Sequence, residues 1–195
     1  MSEPAVISDG RLLRGAKSRR AILRHAVDVA SLEGLNGLSI GRLATDLGVS
    51  KSNVQTLFGT KENLQVATAE FAREAFVDAV LGPALAEPPG APRLRALVDR
   101  WLDYVATPLF PGGCFWAANM PDFDSRPGPV RDTLVRHQRA WRDLLAAELR
   151  NAGHPDADLA AFQLDAVLTA TNTALRLGDE EAVTKARRVM TQLVQ

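Results

Sequence analysis

The stretch LATDLGVSKSNVQTLFGTKENL, from Leu43 to Leu64, constrains the fold more tightly than any other part of the chain. Ile40, Leu43, Ala44 and Leu47 fall at i, i+3, i+4 and i+7, the spacing of a helix with one buried face, and Ser39 stands where an N-cap hydroxyl is wanted. Gly48 ends that helix. Ser50 then caps another, whose inward positions are Val54, Leu57 and Phe58, and it stops at Gly59 before Thr60 caps the next. Two short helices joined through about three residues, Leu47 to Val49, have helix-turn-helix geometry.

The same period runs through the rest of the chain. Ile22, Ala26, Val29 and Ala30 mark an opening helix from Lys17 to Glu33, and residues 1–14, with Pro4 and Gly10 and no sustained period, are expected to form a flexible arm. A helix from Lys61 to about Val80 follows the capped pair. Four prolines and two glycines between Leu81 and Pro92 predict a break. Beyond it come an apolar stripe from Leu94 to Val105, a short helix from about Cys114 to Met120, and a helix opened by Pro129 in its first turn and running to about Asn151. The last two helices are expected over Asp158 to Leu177 and from Asp179 onward. No segment alternates with period two. The fold class is all-α, with residues 15–60 as a helix-turn-helix unit of three helices, 61–80 as a connecting helix and 81–195 as a larger helical body.

With Val54, Leu57 and Phe58 turned inward, about 100° per residue places Ser52 and Thr56 outward, flanked by Asn53 and Gln55. Each of these residues singly also suits a solvated helix face. As a set at the start of the second helix, they match the chemistry of base edges. Asn and Gln pair bidentately with adenine, and hydroxyls donate or accept. Lys51 and Lys61, with the capped helix starts at Ser39 and Thr60, can hold phosphates.

Charge supports this placement. Lysine plus arginine and aspartate plus glutamate number 23 each, but Arg11 to Lys61 holds nine basic and three acidic residues. From Glu62 onward there are fourteen basic and eighteen acidic. A cationic front on an anionic body is the asymmetry of a nucleic-acid-binding module joined to a second unit. One cysteine, Cys114, excludes an internal disulfide and suits a reducing cytoplasm. No apolar run approaches the ~20 residues of a membrane span, and the polar N-terminus lacks a signal-peptide core. A cytoplasmic protein is expected.

Residues 17–65 resemble the DNA-binding domain of the tetracycline repressor family of bacterial transcription regulators. The likeness rests on the opening KSRRAILRHAVDVASLEGLNGLSI, the pair LATDLGVSKSNVQTLF and the following GTKENL. PGGCFWAANMPDFDSRPGPVRD is similar to a segment in the C-terminal domains of one of its subgroups. The resemblance implies a regulator, most commonly a repressor, that binds a palindromic operator in double-stranded DNA as a homodimer and is released by a small-molecule effector. It makes residues 15–60 the DNA-binding domain and 81–195 a helical ligand-binding and dimerisation domain, and implies phosphate contacts at Ser39 and Lys61 and a recognition surface from Lys51 to Thr56. Gln55 and Leu57 depart from the aromatic residues common at those positions in the family. The alternative is a helical ligand-binding or scaffold protein with a vestigial DNA-binding unit.

Candidate effector-binding residues are those that could line an aromatic pocket with a few polar groups: Trp101, Tyr104, Phe110, Cys114, Phe115, Asn119, Phe123, His137, Trp141 and Asn172. Trp116 and Met120 lie in the same run. Aromatic residues at helical spacing also serve as plain core. His137 lies on the apolar stripe of its helix, so its imidazole is either bonded internally or aimed at a cavity, and Asn172 is a similar case. Cys114 and His137 make a weak nucleophile and base pair, no metal-ligand spacing or phosphate loop is present, and neither catalysis nor a cofactor is expected. The helix from Asp158 is apolar on two sides, with Leu159, Phe162, Ala166 and Thr173 on one and Leu164, Val167, Leu168, Thr171 and Leu175 on the other. One side, with Val189, Met190 and Leu193 of the last helix, can meet a second subunit in a four-helix bundle. The other possibility is a larger intrachain core.

Overall fold

A computed structural model describes residues 6–193, and all regular structure in them is helical. Helix α1 spans Val6–Glu33, and a 3-10 turn at Leu35–Gly37 leads to α2 (Ile40–Asp46) and α3 (Lys51–Phe58). Helix α4 (Lys61–Phe76) widens into a π turn over Val77–Leu81 and ends at Gly82–Ala84. The body continues with α5 (Ala91–Ala106), α6 (Phe115–Phe123), α7 (Pro129–Asn151), α8 (Ala157–Arg176) and α9 (Glu181–Leu193).

The first four helices form where local chemistry directs them. Ser39 Oγ accepts from the Arg42 amide at 3.1 Å, Ser50 Oγ from Asn53 at 3.2 Å and Thr60 Oγ1 from Asn63 at 3.1 Å. Each satisfies an otherwise orphaned N–H, a contribution of about 1 kcal/mol. The α2–α3 turn needs Gly48, whose φ of +63° is the left-handed region open to glycine. Val54 and Phe58 of α3 are buried, together with Leu43 and Ala44 of α2, against Ile22, Leu23 and Ala26 of α1.

Two expectations change. Helix α1 begins at Val6, so residues 6–14 are helical, and the expected arm reduces to residues 1–5, which lie outside the described residues. Glycines at 10 and 15 cost helix stability, but elongating a formed helix gains one bond per residue. The break expected from Leu81 begins only after Ala84. Pro83 has no amide hydrogen and its ring opposes the carbonyl four residues earlier, and the helix accommodates it through the wider turn over Val77–Leu81.

In the body, α7 and α8 pack side by side, α9 lies on α8, and α5 touches α7, α8 and α9. Helix α4 packs on α1 on one side and on α7 on the other, and α6 lies between α1 and α7. One continuous apolar core runs from Ile22 through Phe76 and Phe115 to Met190. Gly112 marks its tightest point. A Cβ there would lie 1.7 Å from the Ser31 carbonyl oxygen, so only glycine permits the loop before α6 to meet the end of α1.

Candidate DNA-reading face and ligand cavity

Lys51, Ser52, Asn53, Gln55 and Thr56 are all exposed on α3, and Ser39, Thr60 and Lys61 are exposed beside it. Several already hold local bonds. Thr56 Oγ1 donates to the Ser52 carbonyl at 2.8 Å, Ser50 and Ser52 hydroxyls lie 3.1 Å apart, and Gln55 Nε2 donates to the Gly59 carbonyl. Lys61 Nζ donates to the Asn36 carbonyl at 2.7 Å, which pins the ammonium near the start of α4.

The cationic front is smaller than its residue count. Arg42 is held by both Glu33 oxygens, at 2.5 and 2.7 Å, and lies 3.6 Å from Asp46, which also meets His25 at 2.9 Å. The Arg42 bond holds the Glu33 carboxyl below its ordinary pKa, and the His25 bond does the same for Asp46. Arg19 lies over the Phe58 ring at 5.0 Å and Arg20 over Phe71 at 5.4 Å. These arginines seat α3 and α4 against α1, a role that charge counting did not reveal.

A half-open cavity of about 300 Å³ lies in the body between α4, α5, α6, α7 and α8. Of the ten candidate effector residues, Trp101, Cys114, His137 and Trp141 line it. Trp116 and Met120 do so as well, joined by Phe76 on α4 and Asp165 on α8. Phe76 meets Tyr104, Trp116 and Trp141 edge to face at 5.2 to 5.7 Å.

The other six candidates lie outside the wall, each with a packing or hydrogen-bonding task. Tyr104 Oη accepts from the Phe115 amide, and Asn172 Oδ1 from Cys114, both at 2.9 Å, which fixes the start of α6. Phe110 packs edge to face on Tyr104 and Phe115, and Phe123 is buried at the end of α6. Asn119 is fully buried and faces α1. Its Oδ1 accepts from Leu35 at 2.6 Å, and its Nδ2 donates to the Ala30 and Phe115 carbonyls at 3.2 and 2.7 Å.

His137 fits both of its expected positions. Nε2 bonds Glu70 Oε2 of α4 at 3.1 Å, while Nδ1 is buried without a partner. Burial lowers its pKa, which keeps the imidazole neutral near pH 7, and Glu70 partly opposes this. Among the described residues, Trp116 Nε1 is the other buried side-chain nitrogen or oxygen without a partner. Burial pushes the Cys114 thiol up, the reverse of nucleophile activation. Burial likewise raises Asp165, whose two oxygens accept from Gln138 Nε2 at 3.0 and 2.8 Å.

Helix α6 therefore has two working faces. Trp116, Ala117, Met120 and Pro121 line the cavity. Asn119 is bonded to Ala30 and Leu35, and Asp122 Oδ2 accepts from Asn36 at 2.9 Å. In the loop before α6, the Gly112 amide donates to Ser31 Oγ at 2.9 Å.

A helix-turn-helix with an exposed polar reading helix, set on an all-helical body that holds an aromatic cavity, defines a DNA-binding transcriptional regulator. Residues 90–190 match the tetracyclin repressor-like C-terminal domain. The chain belongs to the tetracycline repressor family, whose members are transcription regulators rather than enzymes.

Solved structures share the fold over nearly the whole chain. A TetR-family transcriptional regulator from Streptomyces coelicolor superposes with a TM-score of 0.78 at 19% identity, covering 99% of this chain and 98% of that one. A TetR regulator from Legionella pneumophila gives 0.78 at 20% identity, covering 92% and 97%. A protein described as a putative transcriptional regulator, from Saccharomonospora viridis and solved in complex with choline, gives 0.72 at 22% identity, covering 92% and 96%. No curated protein matches the sequence. No helix among the described residues is long and apolar enough to cross a membrane.

Proposed function

We propose that the protein is a ligand-responsive repressor that binds a palindromic DNA operator as a homodimer and releases it when a small molecule enters the body. The observation that carries this reading is the double use of α6. A molecule that moves Trp116 or Met120 acts on the same nine-residue helix whose Asn119 holds the end of α1 and the turn before α2. The S. viridis structure, in complex with choline, is a precedent for a small molecule on this fold.

The reading surface is Lys51, Ser52, Asn53, Gln55 and Thr56, with Ser39, Thr60 and Lys61 on phosphates. Trp101, Cys114, His137 and Trp141 are its effector contacts, with Trp116 added. Two-fold pairing is assigned to the outer side of α8, where Leu159 is 52% and Phe162 58% exposed beside exposed Ala166 and Thr173. Its other side is the intrachain one, with Leu164, Leu168 and Thr171 buried. Met190 is buried in the protein's own core and Leu193 packs against it, so of the three residues expected to help from α9 only the half-buried Val189 remains available.

The test is selection of DNA fragments by the full-length protein, followed by affinity measurement on the selected site with and without small molecules. A two-fold sequence with half-sites one helical turn or a multiple apart is expected. Binding equal to that on random DNA would overturn the reading.

A further inference from the structure

The cavity's polar inventory identifies a ligand class. Its walls are the rings of Phe76, Trp101, Trp116 and Trp141, and the Gln138 amide and Asp165 carboxylate at the wall bond each other. Gln138 binds both Asp165 oxygens, so that carboxylate is not a bare anion awaiting an organic cation, and Arg73 at the wall adds positive charge. Two atoms remain on wall residues that are more than nine-tenths buried, Trp116 Nε1 and His137 Nδ1. Their rings meet edge to face with centroids 6.1 Å apart. The indole nitrogen can only donate. His137 Nε2 meets the Glu70 carboxylate, so a neutral imidazole carries its hydrogen there and leaves Nδ1 as a lone pair. Both nitrogens are closed to solvent in this conformation, so a ligand reaches them as the two rings turn; one donor and one acceptor on adjacent rings are then what a single hydroxyl satisfies, because its oxygen accepts while its hydrogen donates.

We propose that the cavity takes a neutral, compact aromatic alcohol of the phenol class, whose hydroxyl accepts from Trp116 Nε1 and donates to His137 Nδ1. The proposal rests on reading the cavity as the effector site. Size agrees, since about 300 Å³ is twice the ~150 Å³ that holds benzene, which suits a ligand of roughly twelve non-hydrogen atoms. The hydroxyl bond also reaches α4, because the imidazole that receives it donates to Glu70 of that helix.

The experiment titrates the full-length protein calorimetrically with para-butylphenol, its methyl ether para-butylanisole, butylbenzene and choline. The phenol is expected to bind about tenfold more tightly than butylbenzene, or about 1.4 kcal/mol, with the ether, which accepts but cannot donate, between them. Trp116→Phe and His137→Phe, made separately and checked for native helicity and melting, should each reduce the phenol's advantage over butylbenzene, compared within the same variant, from about tenfold to about twofold or less. Equal binding of phenol and butylbenzene would overturn the hydroxyl assignment and leave an apolar effector site. Binding of choline alone would also overturn it while preserving the proposed function. Failure of all four compounds to bind would overturn both this proposal and the cavity as effector site.

Discussion

The reading unit and the body use polar side chains in opposite ways. On α3, Lys51, Ser52, Asn53, Gln55 and Thr56 point to solvent, and the helix is held by its Ser50 cap and two buried residues, Val54 and Phe58. In the body, Asn119, His137, Thr171 and Asn172 are buried, and each spends hydrogen bonds joining segments or turns of chain. The bonds made by the α3 side chains are local and at the surface, within four residues of chain, whereas most of those in the body are buried and tie together segments far apart in sequence.

Five substitutions would break or sharpen that contrast. The largest effect is expected for Phe162→Glu, which places a carboxylate in the proposed subunit contact. Sedimentation should show monomers, and operator affinity should fall by about 10³-fold toward its nonspecific level with α3 intact. A stable dimer would move the interface elsewhere. Next is Gly112→Ala, whose Cβ collides with the Ser31 backbone. Denaturant titration should show a loss of about 2–3 kcal/mol, and an unchanged midpoint would mean that α1 and α6 are not locked together.

Asn119→Ala leaves the Leu35 amide and the Ala30 carbonyl without their partner, a cost of about 1–3 kcal/mol. Its diagnostic result is separate from stability. Effector affinity should persist while effector-driven release of DNA weakens, and full release would remove α6 from the relay. The smallest effects belong to the surface. Lys61→Ala should weaken all DNA sequences alike and lower the salt slope by about one per subunit, whereas Thr56→Ala should change preference among sites by about 1–2 kcal/mol. Equal losses on specific and random DNA for Thr56→Ala would remove it from base readout.

The same contrast explains what the sequence disclosed. Ser39, Ser50 and Thr60 cap helices within three residues of themselves, so the bounds of α2 and α3 follow from local spacing alone. The cavity wall depends on which way a buried ring turns in the assembled body. Tyr104 and Phe115 have the same composition signal as Trp101 and Trp116, yet the first pair packs around the start of α6 and the second lines the cavity. Phe76 escaped notice because its helix reads as a connector. Asp165 carried a usable signal, a lone acid between Leu164 and Ala166 in an otherwise apolar run. Gly112 carried none, because its neighbour is the backbone of a helix about eighty residues away.

The π turn over Val77–Leu81 has a consequence for how the long helix is phased. One π turn is geometrically an α-helix with a residue added, and it rotates everything downstream by about 100°. Upstream, α4 fits α1 and α7; within the turn Val80, and beyond it Ala84, are buried where the chain packs on α5. The added residue works as a shim between two mating surfaces that a single uninterrupted spiral would leave out of step. Deleting one residue from this stretch would keep the rod and misalign one of its two seats.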